Sequence, residues 1–276
     1  MTWVSRKASP ADGAPASGDR PRTGGAPVLP PTPGMERFVE RLRLRSVLPL
    51  DACAALLSLR GRTLEVGRGH QLATPGHEID RATLVVDGLL GRFDQMADGS
   101  RQITALHIRG DMADLHSVPM PLPAWGIEAL APSTVLLVSH ADLRSVSAAH
   151  PAIALAFWRD TVADSSILSK WAANLGRTDA ATRLAHLLCE MGTRAQVAGI
   201  GRREAFALPM TQAQLADALG LTTVHVNRTM ATLKQSCGLS IAAGHVRVTD
   251  WLALAEIASF DDTYLLLEPA EPQLVA

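Results

Sequence analysis

The stretch of residues 211–233 constrains the fold of this chain more than any other part of its sequence. Thr211 and Gln214 have the spacing of a capping box, which begins a helix. Gly220 is suited to end that helix, because glycine tolerates a left-handed backbone. One of the threonines at 222–223 can then cap a second helix. Two helices joined by a tight turn are typical of a helix-turn-helix.

The two predicted helices each carry an apolar face at helical spacing. The apolar residues are Leu215, Ala218 and Leu219 on the first helix, and Val226, Met230 and Leu233 on the second. On the second helix His225, Asn227 and Arg228 fall on the opposite, exposed side. An ordinary helical hairpin shares this apolar spacing, so the residues that follow are needed to separate the two interpretations.

The residues after the motif favour a winged helix-turn-helix over an ordinary hairpin. Residues 239–242 and 246–248 have the character of two short strands, and Ala243-Gly244 lies between them as a tight turn. Asp250 then has the position of an N-cap for a final helix that extends to Ala258. A hairpin in this place corresponds to the wing that follows a recognition helix.

The charge of the chain is nearly balanced overall but basic near the motif. The whole chain has 26 Lys and Arg against 27 Asp and Glu, a net charge of -1. Residues 202–247 carry five basic residues (Arg202, Arg203, Arg228, Lys234, Arg247) against two acidic ones (Glu204, Asp217), a net charge of +3. Attraction to DNA must therefore come from a local patch.

The residues before the motif divide into three parts. Residues 1–34 are rich in Pro, Gly, Ala and Ser and are predicted to be a disordered tail. Residues 35–147 begin with two short helices, the second capped by Asp51. They continue as short strands broken by turns such as Asp98-Gly99, which predicts a small antiparallel sensor roll. Residues 148–176 are predicted to form a dimerisation helix, and the DNA-binding domain occupies residues 177–276.

The predicted dimerisation helix is one long segment. No Pro or Gly interrupts the chain between Pro151 and Leu175, and Gly176 is expected to end the helix. Apolar residues at spacings of three to five predict a stripe that faces a partner helix or the roll. The stripe that we expect to form a twofold dimer includes Ile153, Phe157, Ile167, Leu168 and Trp171.

The combined pattern resembles the Crp/Fnr superfamily of bacterial regulators. The resemblance rests on residues 215–230 with the wing behind them, on Gly110-Asp111-Met112, and on residues 183–190. It implies an α+β fold with an N-terminal double-stranded β-helix, the cyclic-nucleotide-binding-like roll, followed by a long dimerisation helix and a C-terminal winged helix-turn-helix. It also implies a homodimer that binds a pseudo-palindromic site on double-stranded DNA, with RNA polymerase as a further partner.

The resemblance assigns DNA-binding roles to specific residues. The base-facing candidates are Thr223, Val224, His225, Asn227 and Arg228; the phosphate-contacting candidates are Thr211, Lys234, His245 and Arg247. Arg228 matches the arginine that the family places against a guanine. Thr223 and Val224 depart from the Arg-Glu pair of the cyclic-AMP receptor branch, and Val224 offers only apolar contact, for example to a thymine methyl.

The sensor roll lacks the residues that the known effectors of the family require. No Arg occurs between Gly110 and Leu143 to hold a phosphate, so cyclic AMP is not expected. Cys53 is the one cysteine of the sensor region, so an iron–sulfur cluster is not expected either. No cofactor and no metal are predicted, and His107 and His116 are interpreted as structural groups in preference to haem or metal ligands. Three residues remain as candidates for an effector pocket: Asp114, His116 and Ser117.

Two alternatives to a dimeric regulator stay open. A cupin-like enzyme would use the roll, but no metal-ligand spacing, nucleophile elbow or phosphate loop is present, so we expect no enzymatic activity. A degenerate helix-turn-helix could instead mediate protein contacts. The sequence shows no signal peptide and no apolar run long enough for a membrane span, so we expect a cytoplasmic protein without membrane contact.

Overall fold

A computed structural model describes residues 32–267. The chain divides into two units, residues 1–30 and 31–276, and every element below belongs to the second. The predicted disordered tail therefore lies outside the described residues, except for its last three. Of these, Thr32 donates a hydrogen bond from its hydroxyl to the carbonyl oxygen of Leu59 (3.0 Å).

Seven strands form the predicted roll. They are β1 (Gly61–Val66), β2 (Gln71–Ala73), β3 (Arg81–Asp87), β4 (Leu90–Gln95), β5 (Arg101–His107), β6 (Gly126–Ala129) and β7 (Ser133–Ser139). One antiparallel sheet has the order β1-β7-β3 and the other the order β2-β6-β4-β5. Apolar residues of both sheets pack together between them, including Val85, Leu90, Ile127 and Val135. The small double-sheeted roll confirms the predicted fold class.

Three helices flank the roll: α1 (Met35–Arg45), α2 (Leu50–Ser58) and α3 (His140–Ala149). The prediction that Asp51 caps the second helix is wrong, because the N-cap is Pro49 and Asp51 lies in the first turn. Helix α3 was not predicted. It begins directly after β7, where the hydroxyl of Ser139 accepts a hydrogen bond from the backbone N–H of Ala141.

The long helix α4 (Pro151–Arg177) follows α3. Pro151 is its first residue, where a missing N–H costs nothing. The predicted end at Gly176 is wrong, because the helix includes Gly176 and Thr178 is the C-cap. Glycine can adopt helical backbone angles in the last turn of a helix, and no other residue near Gly176 forces α4 to end earlier.

The C-terminal part consists of four helices around a small sheet. The helices are α5 (Ala180–Val197), α6 (Gln212–Leu219), α7 (Thr223–Cys237) and α8 (Trp251–Ala258). The strands are β8 (Gly201–Arg202), β9 (Ala205–Ala207), β10 (Ser240–Ala242) and β11 (His245–Arg247), in the order β10-β11-β9-β8. The predicted wing hairpin is thus extended by a second hairpin that precedes the motif.

A chain of buried charges connects these parts. Asp111, in the turn after β5, accepts hydrogen bonds from Arg41 of α1 and from Arg194 of α5, the latter at 2.7 Å. Arg194 also donates to Glu190 (3.0 Å). Asp160 of α4 accepts from Arg45 (2.9 Å) and lies 3.3 Å from Nε of Arg41. We call these six residues the buried ionic chain.

Burial makes the ionic chain costly to break. Burial alone would raise the pKa of Asp111, but Arg41 and Arg194 outweigh it and hold that pKa below its usual value. Glu190 is fully buried and also accepts from Trp171 Nε1 (2.7 Å) and the Tyr264 hydroxyl (3.0 Å). An ionised, buried carboxylate that loses its cation is left without compensation.

We expect Arg194→Met to lower the free energy of unfolding by about 3–5 kcal/mol. The substitution removes the cation that pairs with Glu190 and one of the two cations that pair with Asp111. Urea denaturation at pH 7 measures the loss. The matched control is Arg37→Met, since Arg37 pairs with Glu40 on the surface, and an exposed pair contributes less than about 1 kcal/mol. Equal losses in the two variants would contradict the structural role of the buried ionic chain.

Candidate nucleic-acid interface

Helix α6 begins with the predicted capping box. The Thr211 hydroxyl accepts a hydrogen bond from the backbone N–H of Gln214 (3.1 Å), and Oε1 of Gln214 accepts from the backbone N–H of Thr211 (2.8 Å). Two backbone donors at the start of the helix are thereby satisfied by the residues that form it. The start of α6 is fixed by local chemistry.

A left-handed glycine sets the angle between the two helices. Gly220 ends α6 at φ 60° and ψ 42°, a conformation that a residue with a Cβ adopts at a cost. A Cβ at this position would also lie 3.1 Å from Cδ2 of Leu175. Thr222 then caps α7, with its hydroxyl accepting from the backbone N–H of His225 (3.2 Å). The turn brings the N-terminal end of α7 to the surface.

Helix α7 has one buried and one exposed face. Val226, Thr229, Leu233 and Cys237 are buried. The five predicted base-facing residues, Thr223, Val224, His225, Asn227 and Arg228, are all exposed and occupy the first two turns. Val224 is 66% exposed although it is apolar, so most of its surface is left uncovered by the rest of the chain that the structure describes. The first two turns of α7 are therefore free to contact another molecule.

The four predicted phosphate-contacting residues are also exposed. Thr211 lies at the start of α6 and Lys234 near the end of α7, while His245 and Arg247 lie on β11 on either side of the buried Val246. Within residues 32–267 no salt bridge engages Arg228, Lys234 or Arg247. The other two basic residues of the patch are paired, Arg202 with Glu204 and Arg203 with Asp262.

The wing is larger than the sequence indicated. Strand β9 pairs with β11, with Phe206 opposite Val246, and β8 pairs with β9. The sequence signal was the run Gly199-Ile-Gly-Arg-Arg-Glu, a short glycine-containing turn before an alternating segment. At the wing tip Ala243 and Gly244 both have positive φ, 49° and 75°, as in the turns that favour a two-residue hairpin.

Helix α6 lies against the sensor roll. Arg68, in the turn after β1, donates to Oε1 of Gln214 (2.9 Å) and to the carbonyl of Pro209 (3.2 Å). Nε2 of Gln214 donates to the carbonyl of Leu130 (3.1 Å), and Gln102 of β5 donates to the carbonyl of Ala218 (3.2 Å). The roll thus holds the first helix of the motif and leaves the second exposed.

The geometry agrees with comparisons to known proteins. The family model described as a Crp-like helix-turn-helix domain matches residues 182–257. The chain is 24% identical over 197 residues to the fumarate and nitrate reduction regulatory protein of Vibrio cholerae, covering 71% of this chain and 78% of the relative. It is 26% identical over 199 residues to the transcriptional activator protein FnrL of Cereibacter sphaeroides, covering 70% of this chain and 79% of the relative.

A solved structure extends the likeness to the whole fold. FixK2 from Bradyrhizobium japonicum superimposes with a TM-score of 0.67 and 25% identity, covering 74% of this chain and 100% of that one. The chain carries a Crp-like helix-turn-helix domain and is similar to Crp/Fnr-type regulators over most of its described fold. The resemblance inferred from residues 215–230 and the wing is confirmed, and the chain is similar to transcription regulators.

Two of the three predicted effector-pocket residues, Asp114 and Ser117, are buried. Asp114 is 1% exposed, and its carboxylate accepts from the backbone N–H (2.6 Å) and the hydroxyl (3.3 Å) of Thr83. Ser117 is buried with its hydroxyl 2.9 Å from Nε2 of His140. Both side chains make these contacts in the interior of the roll and not at its surface. His116 alone of the three lines surface clefts.

Two histidines of the roll, His107 and His116, are neutral at pH 7. Burial lowers the pKa of His107 to about 3 and that of His116 to about 4. No group of three or more His, Cys, Asp or Glu side chains within residues 32–267 could hold a metal ion. In the same part of the chain no helix combines the length and apolar character needed to span a bilayer.

The predicted dimer stripe also needs correction. Ile153 and Phe157 pack on the flanking helices of the roll, and Ile167 and Trp171 pack in the core shared with the C-terminal helices. Leu168 alone of the five predicted residues is exposed, at 39%. Apolar residues occupy several sides of α4, and sequence spacing does not distinguish the stripe that faces its own chain from the one that faces outward.

The ionisation of Asp114 gives a test of its structural role. Burial raises the pKa of Asp114 to about 6. The folded state therefore binds this proton more tightly than the unfolded state, so the stabilisation is complete below the usual pKa and is lost as the pH rises through about 6. Asn at this position has an oxygen to accept from the backbone N–H of Thr83 and an amide N–H to donate to the Thr83 hydroxyl, without the ionisation.

We expect Asp114→Asn to raise the free energy of unfolding by about 3 kcal/mol at pH 8 and by much less at pH 4, since the pKa is raised from 3.8 to about 6 and one pKa unit is about 1.4 kcal/mol. Urea denaturation across that pH range measures the difference from the unsubstituted protein. Asp87→Asn, at an exposed position, is the control and should leave the pH profile unchanged. A pH-independent difference for Asp114→Asn would show that the carboxylate is not desolvated.

Proposed function

We propose that this protein is a sequence-specific transcription regulator that binds a pseudo-palindromic DNA site as a homodimer. The observation that carries the proposal is the exposed N-terminal half of α7, whose five candidate base-facing side chains have no role in the protein core. A helix end that presents polar and apolar side chains in this way fits the major groove.

The charges around α7 support a DNA-bound orientation. Lys234 continues the exposed face of α7, and His245 and Arg247 extend it onto the wing. These exposed groups suit phosphate contacts, which position a protein without reading sequence. Arg228 is placed to read a guanine with a bidentate pair of hydrogen bonds, and Val224 to contact a thymine methyl.

A different face of α4 supports the proposed homodimer. Trp158, Thr161, Ser165, Leu168, Ala172 and Leu175 repeat at alternating spacings of three and four, and each is exposed or partly exposed. We call these six residues the α4 seam. Such spacing is that of a two-stranded coiled coil, and small residues let the helices approach closely. Trp158 is 70% exposed, an apolar surface that a second copy would cover.

One further partner and a cellular location follow from the proposal. Related proteins include a transcriptional activator, and an activator works through RNA polymerase, so we include polymerase among the partners. Because its ligand is genomic DNA, we place the protein in the cytoplasm. A twofold dimer would set its recognition helices about one DNA turn, roughly 34 Å, apart.

The first test selects bound sequences from random duplex DNA with the purified full-length protein. We expect an inverted repeat with steep salt dependence. Arg228→Ala should weaken binding to the selected site by about 5- to 150-fold (1–3 kcal/mol) and relax the preference at one position of each half-site, with little change on random DNA. Lys234→Ala should weaken binding to both DNAs and reduce the salt slope by about 1.

These two variants act as controls for each other, because both remove one exposed cation from the same helix. A uniform loss for Arg228→Ala would reassign that residue to a phosphate contact. No enrichment and no binding even at low salt would instead favour the alternative in which the motif mediates protein contacts.

The dimer has its own test. We expect Leu168→Glu to shift the protein from dimer to monomer at about micromolar concentration, because it places two carboxylates opposite each other in the α4 seam. Sedimentation velocity measures the change. The matched control is Leu252→Glu on α8, where Leu252 is 80% exposed and far along the chain from α4. A Leu168→Glu variant that remains dimeric would place the dimer contact elsewhere.

A further inference from the structure

A cavity of about 70 Å³ lies where helix α1, the turn after β5, the end of α5 and residues 265–267 meet. One water molecule needs roughly 10–15 Å³ measured in this way, so the space is large enough for a small organic molecule. None of the residues that line it belongs to the α4 seam. The cavity is therefore a feature of the single chain, at the junction of its sensor and DNA-binding parts.

The lining of this cavity carries one positive charge more than its carboxylates balance. Its five arginines are Arg37, Arg41, Arg45, Arg109 and Arg194. Three of them belong to the buried ionic chain, which has three carboxylates and is neutral as a whole. A fourth, Arg37, pairs with Glu40. Arg109 has no salt bridge among residues 32–267, so its charge is the one left over.

Two guanidinium groups at the cavity have donors to give to a ligand. Arg109 is exposed and lies in the turn after β5. The side chain of Arg41 is 19% exposed. Nη1 of Arg41 donates to Asp111 and its Nε lies 3.3 Å from Asp160, which leaves Nη2 for a ligand. Guanidinium groups match the planar, bidentate geometry of a carboxylate.

The rest of the lining is apolar. It includes Leu44, Ile108, Val197, Ala198 and Leu267. Val197, in the last turn of α5, is 42% exposed, so a ligand in the cavity would cover apolar surface that the chain leaves open. An apolar wall beside a single uncompensated cation fits a monoanion with an aliphatic tail. Inorganic phosphate would leave that wall uncovered.

We propose that this cavity binds a short-chain aliphatic monocarboxylate. The guanidinium groups of Arg109 and Arg41 donate to the carboxylate oxygens, and the tail lies against Leu44 and Val197. Because α1 belongs to the sensor part and α5 to the DNA-binding part, the bound molecule contacts both. A role of this ligand as an effector rests on the proposed function; its binding does not.

The test titrates sodium butyrate into the purified full-length protein in a calorimeter, at pH 7 and low salt, without DNA. We expect saturable binding that Arg109→Gln weakens about tenfold, because a charged donor is removed. Since Arg109 is exposed, the variant is expected to fold. The control is Arg62→Gln, the same change at an exposed position of β1 that does not line the cavity. No binding at about 10 mM butyrate, or equal weakening by both substitutions, would overturn the proposal.

Two analogues test the ligand class. Butyramide has the shape of butyrate without its charge, and inorganic phosphate has charge without an apolar tail. We expect both to bind at least about tenfold more weakly than butyrate. Equal binding of butyramide would show that the arginines play no part, and tighter binding of phosphate would show a site for inorganic anions; either overturns the proposal. Since no DNA is present, these outcomes leave the proposed DNA binding to its own test.

Discussion

The pairing of Asp111 with Arg41 and Arg194 is the interaction on which the arrangement of this protein depends. Asp111 sits in the roll, Arg41 on the first flanking helix and Arg194 on the helix that precedes the winged motif. Arg194 also donates to the carbonyl of Leu106 in β5 (2.7 Å). Because charges buried this deeply are tolerated only in matched geometry, they fix the position of one part relative to another more strictly than apolar contacts do.

The DNA-binding surface follows from that arrangement in steps. The roll, held against α5, contacts α6 through Arg68 and Gln102. With α6 held, the left-handed turn at Gly220 directs α7 outward. The basic patch is then a property of three unpaired side chains, Arg228, Lys234 and Arg247, and not of the chain as a whole, whose net charge is -1.

Features governed by neighbouring residues could be predicted from the sequence, and features governed by distant contacts could not. The capping box at Thr211, the glycine turn at Gly220 and the cap at Asp250 each depend on residues within four positions, and the structure has all three. The structural roles of Asp114 and Ser117 depend on Thr83 and His140, which lie 31 and 23 positions away. The packing side of α4 is likewise decided by the roll and α5, which is why Ile167 and Trp171 face inward although their spacing fits a dimer stripe.

The side chain of Gln214 takes part both in the cap of α6 and in the contact between α6 and the roll. Its Oε1 accepts from the backbone of Thr211 and from Arg68, and its Nε2 donates to the carbonyl of Leu130. Either glutamate or glutamine completes a capping box, but a carboxylate has no proton to give to a carbonyl oxygen. Glutamine and glutamate are equivalent for the helix cap, but only glutamine can also bind the roll. The amide at position 214 therefore forms a contact between α6 and the roll that helix propensities alone do not predict.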